Sequence, residues 1–408
     1  MCWAVLSVGS LAAGGPAAAA APEEYPVPAD GVLHMQGSGW GHGRGLSQWG
    51  AYQAASLGVP FAQILGFYYP GTTLAALPAA NMRVLLTSDT GRDLVVRAVP
   101  GLSATFDLGG AQTLALPAQP DGCRSPATRW RARAVGSRIR LDALCGRWRT
   151  VVAGLTGPTV SFEVPDGMVA TINGSARRGY RGAVSATRAG SRSVQVVNSL
   201  PIEQYLRPVV PAEVSPSWPV EALRAQAVAA RSFAAHEALG RADKPFDVYD
   251  STRSQVYPGA GWFDSSWRLV RSREQASTDA AILDTAGVHV TVAGLPALTQ
   301  FSSSNGGASA GSPLPHMVAQ ADPWDAAAVA NPRLAWTDGV SAAKLRSRCR
   351  GAGAITGVRV LSREGVGPFG GRISRMEVVG TARSCTLASD SAIRSTLGVN
   401  SSVLTFTP

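Results

Sequence analysis

Short runs of hydrophobic residues alternating with polar ones dominate the middle of the chain. Residues 82–87 and 93–99 are two β-rich runs split by Asp89-Thr90-Gly91, which predicts a hairpin. Similar runs at 113–116, 138–141, 150–152, 159–164 and 168–172, then at 180–184 and 193–198, predict a region of antiparallel strands. No titratable cluster with catalytic spacing lies in the stretch up to residue 172, so it reads as scaffold or binding surface.

Helical spacing governs other stretches. Residues 47–57 and 61–67 predict two short helices, the second stopped by Pro70-Gly71. Residues 200–206 predict a short helix that delivers the chain to a proline-punctuated turn at 211–219 (PAEVSPSWP), and the alanine-rich run 220–240 predicts a longer helix after it. Pro219 suits the first turn of that helix and Glu221 its positive end. Leu223, Ala227, Ala230 and Ala234 form a small-residue stripe for close packing. Arg224 and Arg231 share another face, whereas Gln226 lies about 200° from Arg224 at roughly 100° per residue. Further on, 267–284 predict a helix, 288–292 and 297–301 strands, and 363–371 a glycine-rich connection between strands. The pattern gives an α+β fold: a β-rich scaffold with a few helices around a substrate groove, plus an inserted all-β region.

Composition narrows the class. A hydrophobic fraction of 45% with 16% charged residues describes a folded globular chain, and 45 glycines with 27 prolines suit many turns. Residues 1–21 are small and apolar and end in a run of alanines, the pattern of a secretory signal, although no lysine or arginine precedes the apolar run. No later stretch is long and apolar enough to span a bilayer, so a secreted, extracellular or wall-associated protein without a transmembrane segment in its mature form is expected. Beyond Cys2, four cysteines remain; pairing Cys123 with Cys145 and Cys349 with Cys385 is the simplest of three connectivities. The 37 basic and 27 acidic residues give a net charge of +10. The arginines are scattered and no nucleic-acid module signature appears, so nucleic acid is not expected as a partner; an anionic wall suits the charge better.

Three stretches carry candidate chemistry. Residues 36–51 (QGSGWGHGRGLSQWGA) place five glycines in nine residues around His42 and Arg44, a loop able to bring backbone and one imidazole against a ligand, or simply a tight turn around a hydrogen-bonded histidine. It is not a phosphate loop, because the Gly-Lys-Ser/Thr ending is absent. Residues 302–307 (SSSNGG) offer Ser303 and Asn305 to a carbohydrate, though such a cluster is equally an ordinary loop. Glu213 sits on the proline-rich turn just before the two-arginine helix; from the residues alone it reads as a cleft carboxyl, as a turn carboxylate, or as an ion-pair partner of Arg231. A serine or cysteine hydrolase finds no nucleophile-elbow motif.

The series 198–206 (NSLPIEQYL), 209–213 (VVPAE), 218–231 (WPVEALRAQAVAAR), 255–257 (QVY), 301–307 (FSSSNGG) and 365–372 (GVGPFGGR) resembles the stage II sporulation protein D family, also called amidase enhancer or LytB proteins, over roughly residues 175–405. Residues 41–48 (GHGRGLSQ) also resemble it, but here they precede the β region, whereas the family usually carries them near the carboxyl end. The resemblance implies residues 22–80 as linker and Gly-His-Gly segment, 81–174 as an inserted β-rich region and 175–408 as the family domain. It implies bacterial cell-wall remodelling by a lytic transglycosylase that cleaves peptidoglycan glycan strands, the alternative being a non-catalytic amidase enhancer that binds the wall and activates a peptidoglycan amidase. Glu213 then matches the catalytic general acid and base, and Arg224, Gln226 and Arg231 match neighbouring substrate-binding positions, with Arg224 where lysine is common. His42, Ser303 and Asn305 complete the expected substrate-binding set. Some relatives bind zinc near the Gln-Val-Tyr segment; residues 250–255 hold neither cysteine nor histidine, so no metal and no cofactor is expected. A single carboxyl serving both proton transfers needs a raised pKa, supplied by apolar neighbours such as Val214 and Trp218 and opposed by adjacent arginines.

Overall fold

The computed structural model describes residues 21–155 and 157–407, which form two compact units, 39–334 and a second made of 21–38 with 335–407. The expected secretory signal lies outside the described residues except for its last position. Among the described residues no helix is long and apolar enough to cross a membrane.

The larger unit is β-rich with helices packed beside two sheets. One sheet runs, edge to edge, Val248–Tyr249, Asn81–Leu85, Val194–Pro201, Ala183–Arg188, Thr159–Glu163, Ser103–Asp107 and Ala111–Ala115. The other runs Arg147–Leu155, Arg138–Cys145, Arg129–Val135, Asp93–Arg97, Val169–Asn173, Ala176–Tyr180, Gly261–Phe263 and Leu269–Ser272. Alternate residues of both sheets, among them Val84, Val96, Trp130, Ile139, Phe162 and Val196, enter one shared core. Strands from the predicted insertion thus share both sheets with later strands. Cys123 and Cys145 are bonded, with Cα atoms 5.8 Å apart.

The predicted hairpin across Asp89-Thr90-Gly91 does not form. Asn81–Leu85 pairs with Val194–Pro201, and Asp93–Arg97 pairs with Arg129–Val135 in the other sheet. The intervening turn is anchored inward, since buried Asp89 accepts hydrogen bonds from the hydroxyls of Thr171 and Tyr180. The run 180–184 breaks similarly at Gly182, whose positive φ of 66° sends the chain from one sheet to the other.

Helices α1 (Gln48–Ser56), α2 (Phe61–Tyr68), α3 (Ile202–Glu213), α4 (Val220–Leu239), α5 (Ala276–Asp284) and the short α6 (Pro323–Ala326) belong to this unit. The stripe on α4 is buried as the spacing requires: Leu223, Ala227, Ala230 and Ala234 are at most 2% exposed. The predicted helix over 267–284 is shortened. Asp264 accepts from the backbone N–H groups of Ser266 and Arg268, a local turn that competes with helix, and Leu269–Ser272 pairs as a strand before α5 begins.

The smaller unit has its own core around Leu33, Met35, Val358, Met376 and Phe406. Residues 22–29, expected to be linker, include an edge strand, Glu23–Pro26, paired with Ile355–Arg363 and tied by Glu23 to Arg363. Val32–Ser38 lies between Trp336–Ser341 and Val403–Thr407, and helices α7 (Ala342–Arg348) and α8 (Asp390–Leu397) flank the sheets. Cys349 and Cys385 are bonded here, completing the simplest of the three connectivities.

Candidate functional site

Glu213 is the last residue of α3, not part of a free turn as its flanking prolines suggest. The helix runs through Pro208 and Pro211, each of which removes one intrahelical donor, and it holds because Ile202, Tyr205, Leu206, Val209 and Val210 bury one face. Its end meets the segment after Ser254, where the backbone N–H of Val256 donates to Glu213 Oε1 at 3.2 Å. That segment is fastened on both sides. Tyr205 donates its hydroxyl to Gln255 Oε1 at 2.9 Å, and Tyr257 donates to Asn198 Oδ1 at 2.6 Å. The Gln-Val-Tyr motif is therefore a rigid backing for the carboxylate.

Glu213 opens on a cleft of about 300 Å³ lined also by His42, Phe233, Thr252, Arg253, Ser254, Gln300 and Phe301. Burial pushes its pKa above the usual carboxylate range, and the Val256 N–H only partly offsets this. Two rings, Phe233 and Phe301, supply apolar wall; Val214 is buried in the core, and Trp218 packs at a tilt against Trp49 and edge-on against Tyr52, with ring centres 4.9 and 5.2 Å apart.

The glycine-rich stretch places His42 on this cleft by lying along residues 300–307. Leu46–Ser47 pairs in parallel with Phe301–Ser302, and the Gly43 N–H donates to Ser302 Oγ at 3.2 Å. Gly41 has φ of 108°, and a Cβ there would stand 2.7 Å from Ser302 Cβ, so both backbone angle and space demand glycine. The Arg44 N–H donates to His42 Nδ1 at 3.0 Å, which fixes the proton of the neutral imidazole on Nε2.

Two buried carboxylates from α6 and its cap hold both loops. Asp325 accepts from Ser47 Oγ (2.6 Å), Ser304 Oγ (2.9 Å) and the N–H groups of Gly306 and Gly307 (2.9 Å each). Asp322 accepts from the Tyr68 hydroxyl and Asn305 Nδ2, both at 2.7 Å, and burial raises its pKa.

Of the residues expected at the site, Glu213 and His42 share the cleft; the others are not among its lining residues. Arg224 pairs with Glu221 and with Asp284 at 2.5 and 2.6 Å. Arg231 is fully buried and clamped by Glu203 through two bonds of 2.9 and 2.7 Å, with further bonds to the Val288 and Ile282 carbonyls. The two arginines do face one side of α4 together, toward α5 and the turn after it, as their spacing requires. Gln226 lies on another side, buried against Gln48, whose Nε2 donates to Gln226 Oε1 at 3.4 Å. Asn305 is buried within its own loop, and the Ser303 carbonyl accepts from the Trp49 N–H. Thus no arginine of α4 opposes the Glu213 shift. Arg253, exposed and stacked 3.8 Å from the Tyr249 ring centre, is the cleft's cation instead; its only sequence signal was a lone basic residue in the polar loop before Gln255.

Residues 190–291 match the family described as stage II sporulation protein, SpoIID. An uncharacterized protein of Brachyspira hyodysenteriae is 46% identical over 101 residues, 24% of this chain and 26% of that protein. The amidase enhancer of Bacillus subtilis is 52% identical over 42 residues, 10% of this chain and 6% of its own length. The stage II sporulation protein D of Bacillus subtilis is 25% identical over 217 residues, 51% of this chain and 60% of its own. The chain therefore spans less than two thirds of each of these relatives. No solved structure matches it.

Proposed function

We propose, from the premise that this chain is a SpoIID/LytB family protein, that it remodels the bacterial cell wall by cleaving peptidoglycan glycan strands, with Glu213 as both general acid and general base. The observation that carries this reading is the position of Glu213: it is the one carboxyl group lining its cleft, and burial raises its pKa. The raised pKa favours the protonated carboxyl, which donates its proton to the glycosidic oxygen as the bond to the anomeric carbon breaks. The resulting carboxylate then takes the proton of the sugar's own C6 hydroxyl as that oxygen closes on the anomeric carbon. An anhydro ring forms, no water is consumed, and Glu213 is protonated again. Arg253 and the His42 imidazole hold the carboxylate and acyl groups of muramic acid, the part expected at first of Arg224 and Arg231.

A second reading rests on the 52% identity with a protein named amidase enhancer. In it the cleft binds the wall without cutting, and the chain activates a peptidoglycan amidase. One experiment separates the two: wild type and Glu213→Gln are incubated with glycan strands stripped of stem peptides, and anhydromuramic ends are counted by mass spectrometry. The lyase reading expects those ends from wild type and not from the variant. Equal yields from both, or none from either, would sink it, and amidase stimulation retained by the variant would establish the second.

A further inference from the structure

A second recess, independent of the Glu213 reading, lies on the outer face of the eight-stranded sheet. Two adjoining cavities of about 440 and about 940 Å³ share Arg92 and Asp93 and together make a trough. Its walls carry Arg92, Arg129, Arg131, Arg133 and Arg192. The strand Arg129–Val135 (RWRARAV) explains the concentration: Trp130, Ala132 and Ala134 are buried in the shared core, so the alternate arginines stand on the opposite face.

The acidic residues leave this charge incompletely balanced. Asp89 turns inward to Thr171 and Tyr180. Asp142 is shared by Arg131, Arg140 and Arg133 at 2.6, 2.8 and 4.0 Å, three cations on one carboxylate, and Asp93 lies 3.7 Å from Arg131. Arg133 stands directly across from Arg140 in the sheet, a like-charge pair of the kind that destabilises a ladder. Burial and these two neighbours, Arg140 and Arg131, push the Arg133 pKa down. Among the described residues Arg92, Arg129 and Arg192 enter no ion pair. Alternate residues on one strand repeat every 6.6–6.8 Å or so and neighbouring strands lie about 4.8 Å apart, so the guanidiniums form a two-dimensional array of anion sites.

We propose that this trough binds an acyclic polyol-phosphate polymer, a flexible chain of repeating phosphodiesters, through Arg129, Arg133 and Arg192. Guanidinium forks match phosphate oxygens in bidentate geometry. The aromatic group decides between polyanions. Trp148, the aromatic ring among the lining residues, has the Arg131 guanidinium stacked 4.0 Å from its centre. That face offers no platform for a nucleobase or a sugar ring, on which single-stranded nucleic acid and ring-bearing polymers depend. A chain without rings needs only the array of charges.

The test is direct binding of a poly(glycerol phosphate) oligomer to the full chain by isothermal titration calorimetry. The combined variant Arg129→Gln, Arg133→Gln, Arg192→Gln is expected to bind at least about tenfold more weakly, and wild-type binding is expected to weaken steeply between about 50 and 200 mM salt. Unchanged affinity in the combined variant, or binding indifferent to salt, overturns the proposal. So does tighter binding of single-stranded DNA or of a polyuronate of matched charge, which would assign the trough to a ring-bearing polymer. If circular dichroism finds the combined variant unfolded, the exposed Arg192→Gln alone is read, with an expected loss of roughly two- to threefold, and no loss counts against the site.

Discussion

The backbone N–H of Val256 donates to Glu213 Oε1, and it is the one polar group that works against burial at this carboxyl. The consequence for stability has a definite sign. The folded state holds the Glu213 proton more tightly than the unfolded chain does, so its contribution to stability is lost as pH rises from the ordinary carboxyl value, about 4.3, through the raised one. Glu213→Gln keeps an acceptor for the Val256 N–H and removes the charge. Thermal unfolding should therefore give the variant a higher Tm than wild type at pH 7, the two converging below about pH 4. Cleavage of glycan strands should drop by about 10² to 10⁴-fold in the same variant. A lower Tm at neutral pH would mean that the carboxylate is stabilising and the assignment of its pKa shift is wrong.

Arg231 is buried to 0% exposure while its partner Glu203 keeps a third of its side-chain surface. Removing the guanidinium leaves Glu203 with the Gly287 N–H alone and takes a donor from the carbonyls of Ile282 and Val288. Arg231→Ala is expected to cost about 3–5 kcal/mol in urea unfolding. Lysine should rescue little, because one ammonium cannot serve a carboxylate and two carbonyls in different directions. Folded Arg231→Lys should retain wild-type KM for glycan strands; a raised KM without loss of stability would return Arg231 to the substrate.

Helix α4 was legible because its signals are local. The stripe Leu223, Ala227, Ala230, Ala234 and the caps around Pro219 report on one element, and α4 buries the side that the spacing assigns. The relative faces of Arg224, Gln226 and Arg231 were also legible from 100° per residue, but their partners were not, since Glu203, Asp284 and Gln48 come from other elements. The sheet pairing escaped for the same reason. A turn signal such as Asp89-Thr90-Gly91 states that the chain reverses, while the choice between pairing locally and crossing to a second sheet depends on Thr171 and Tyr180, more than eighty residues away. Glu213 and His42 stood out as candidates from the residues alone, and the resemblance raised Glu213 to the catalytic place; Arg253 was missed because one arginine in a polar loop looks like any solvated charge.

Asp325 joins the two loops that build the cleft. Its two oxygens receive four hydrogen bonds from Ser47, Ser304, Gly306 and Gly307. Asp325→Ala takes the acceptor from the Ser47 and Ser304 hydroxyls and leaves the Gly306 and Gly307 N–H groups only Ser304 Oγ and Asn305 Oδ1, and a buried donor left unpaired costs about 1–3 kcal/mol. The expected outcome is faster amide exchange confined first to residues 41–50 and 302–307, together with loss of glycan cleavage out of proportion to the fall in Tm. Unchanged exchange in both loops would show that strand pairing alone, through Leu46–Ser47 and Phe301–Ser302, holds them.

Arg253 differs from the two arginines of α4 in what it is free to meet. Its neighbour is the Tyr249 ring, no carboxylate among the described residues pairs with it, and it lines the cleft with Glu213. If it holds a carboxylate of the bound glycan that does not change charge during the reaction, it contributes equally to ground and transition states. Such uniform binding raises KM when removed and leaves kcat alone. Arg253→Gln should then raise KM about tenfold, the effect of losing one charge-assisted hydrogen bond, with kcat within about twofold. Arg253→Lys should recover part of the loss, since charge survives and the fork does not. A fall in kcat as large as the rise in KM would instead put the guanidinium against charge that develops at the reacting centre, and the division of labour with Glu213 would have to be redrawn.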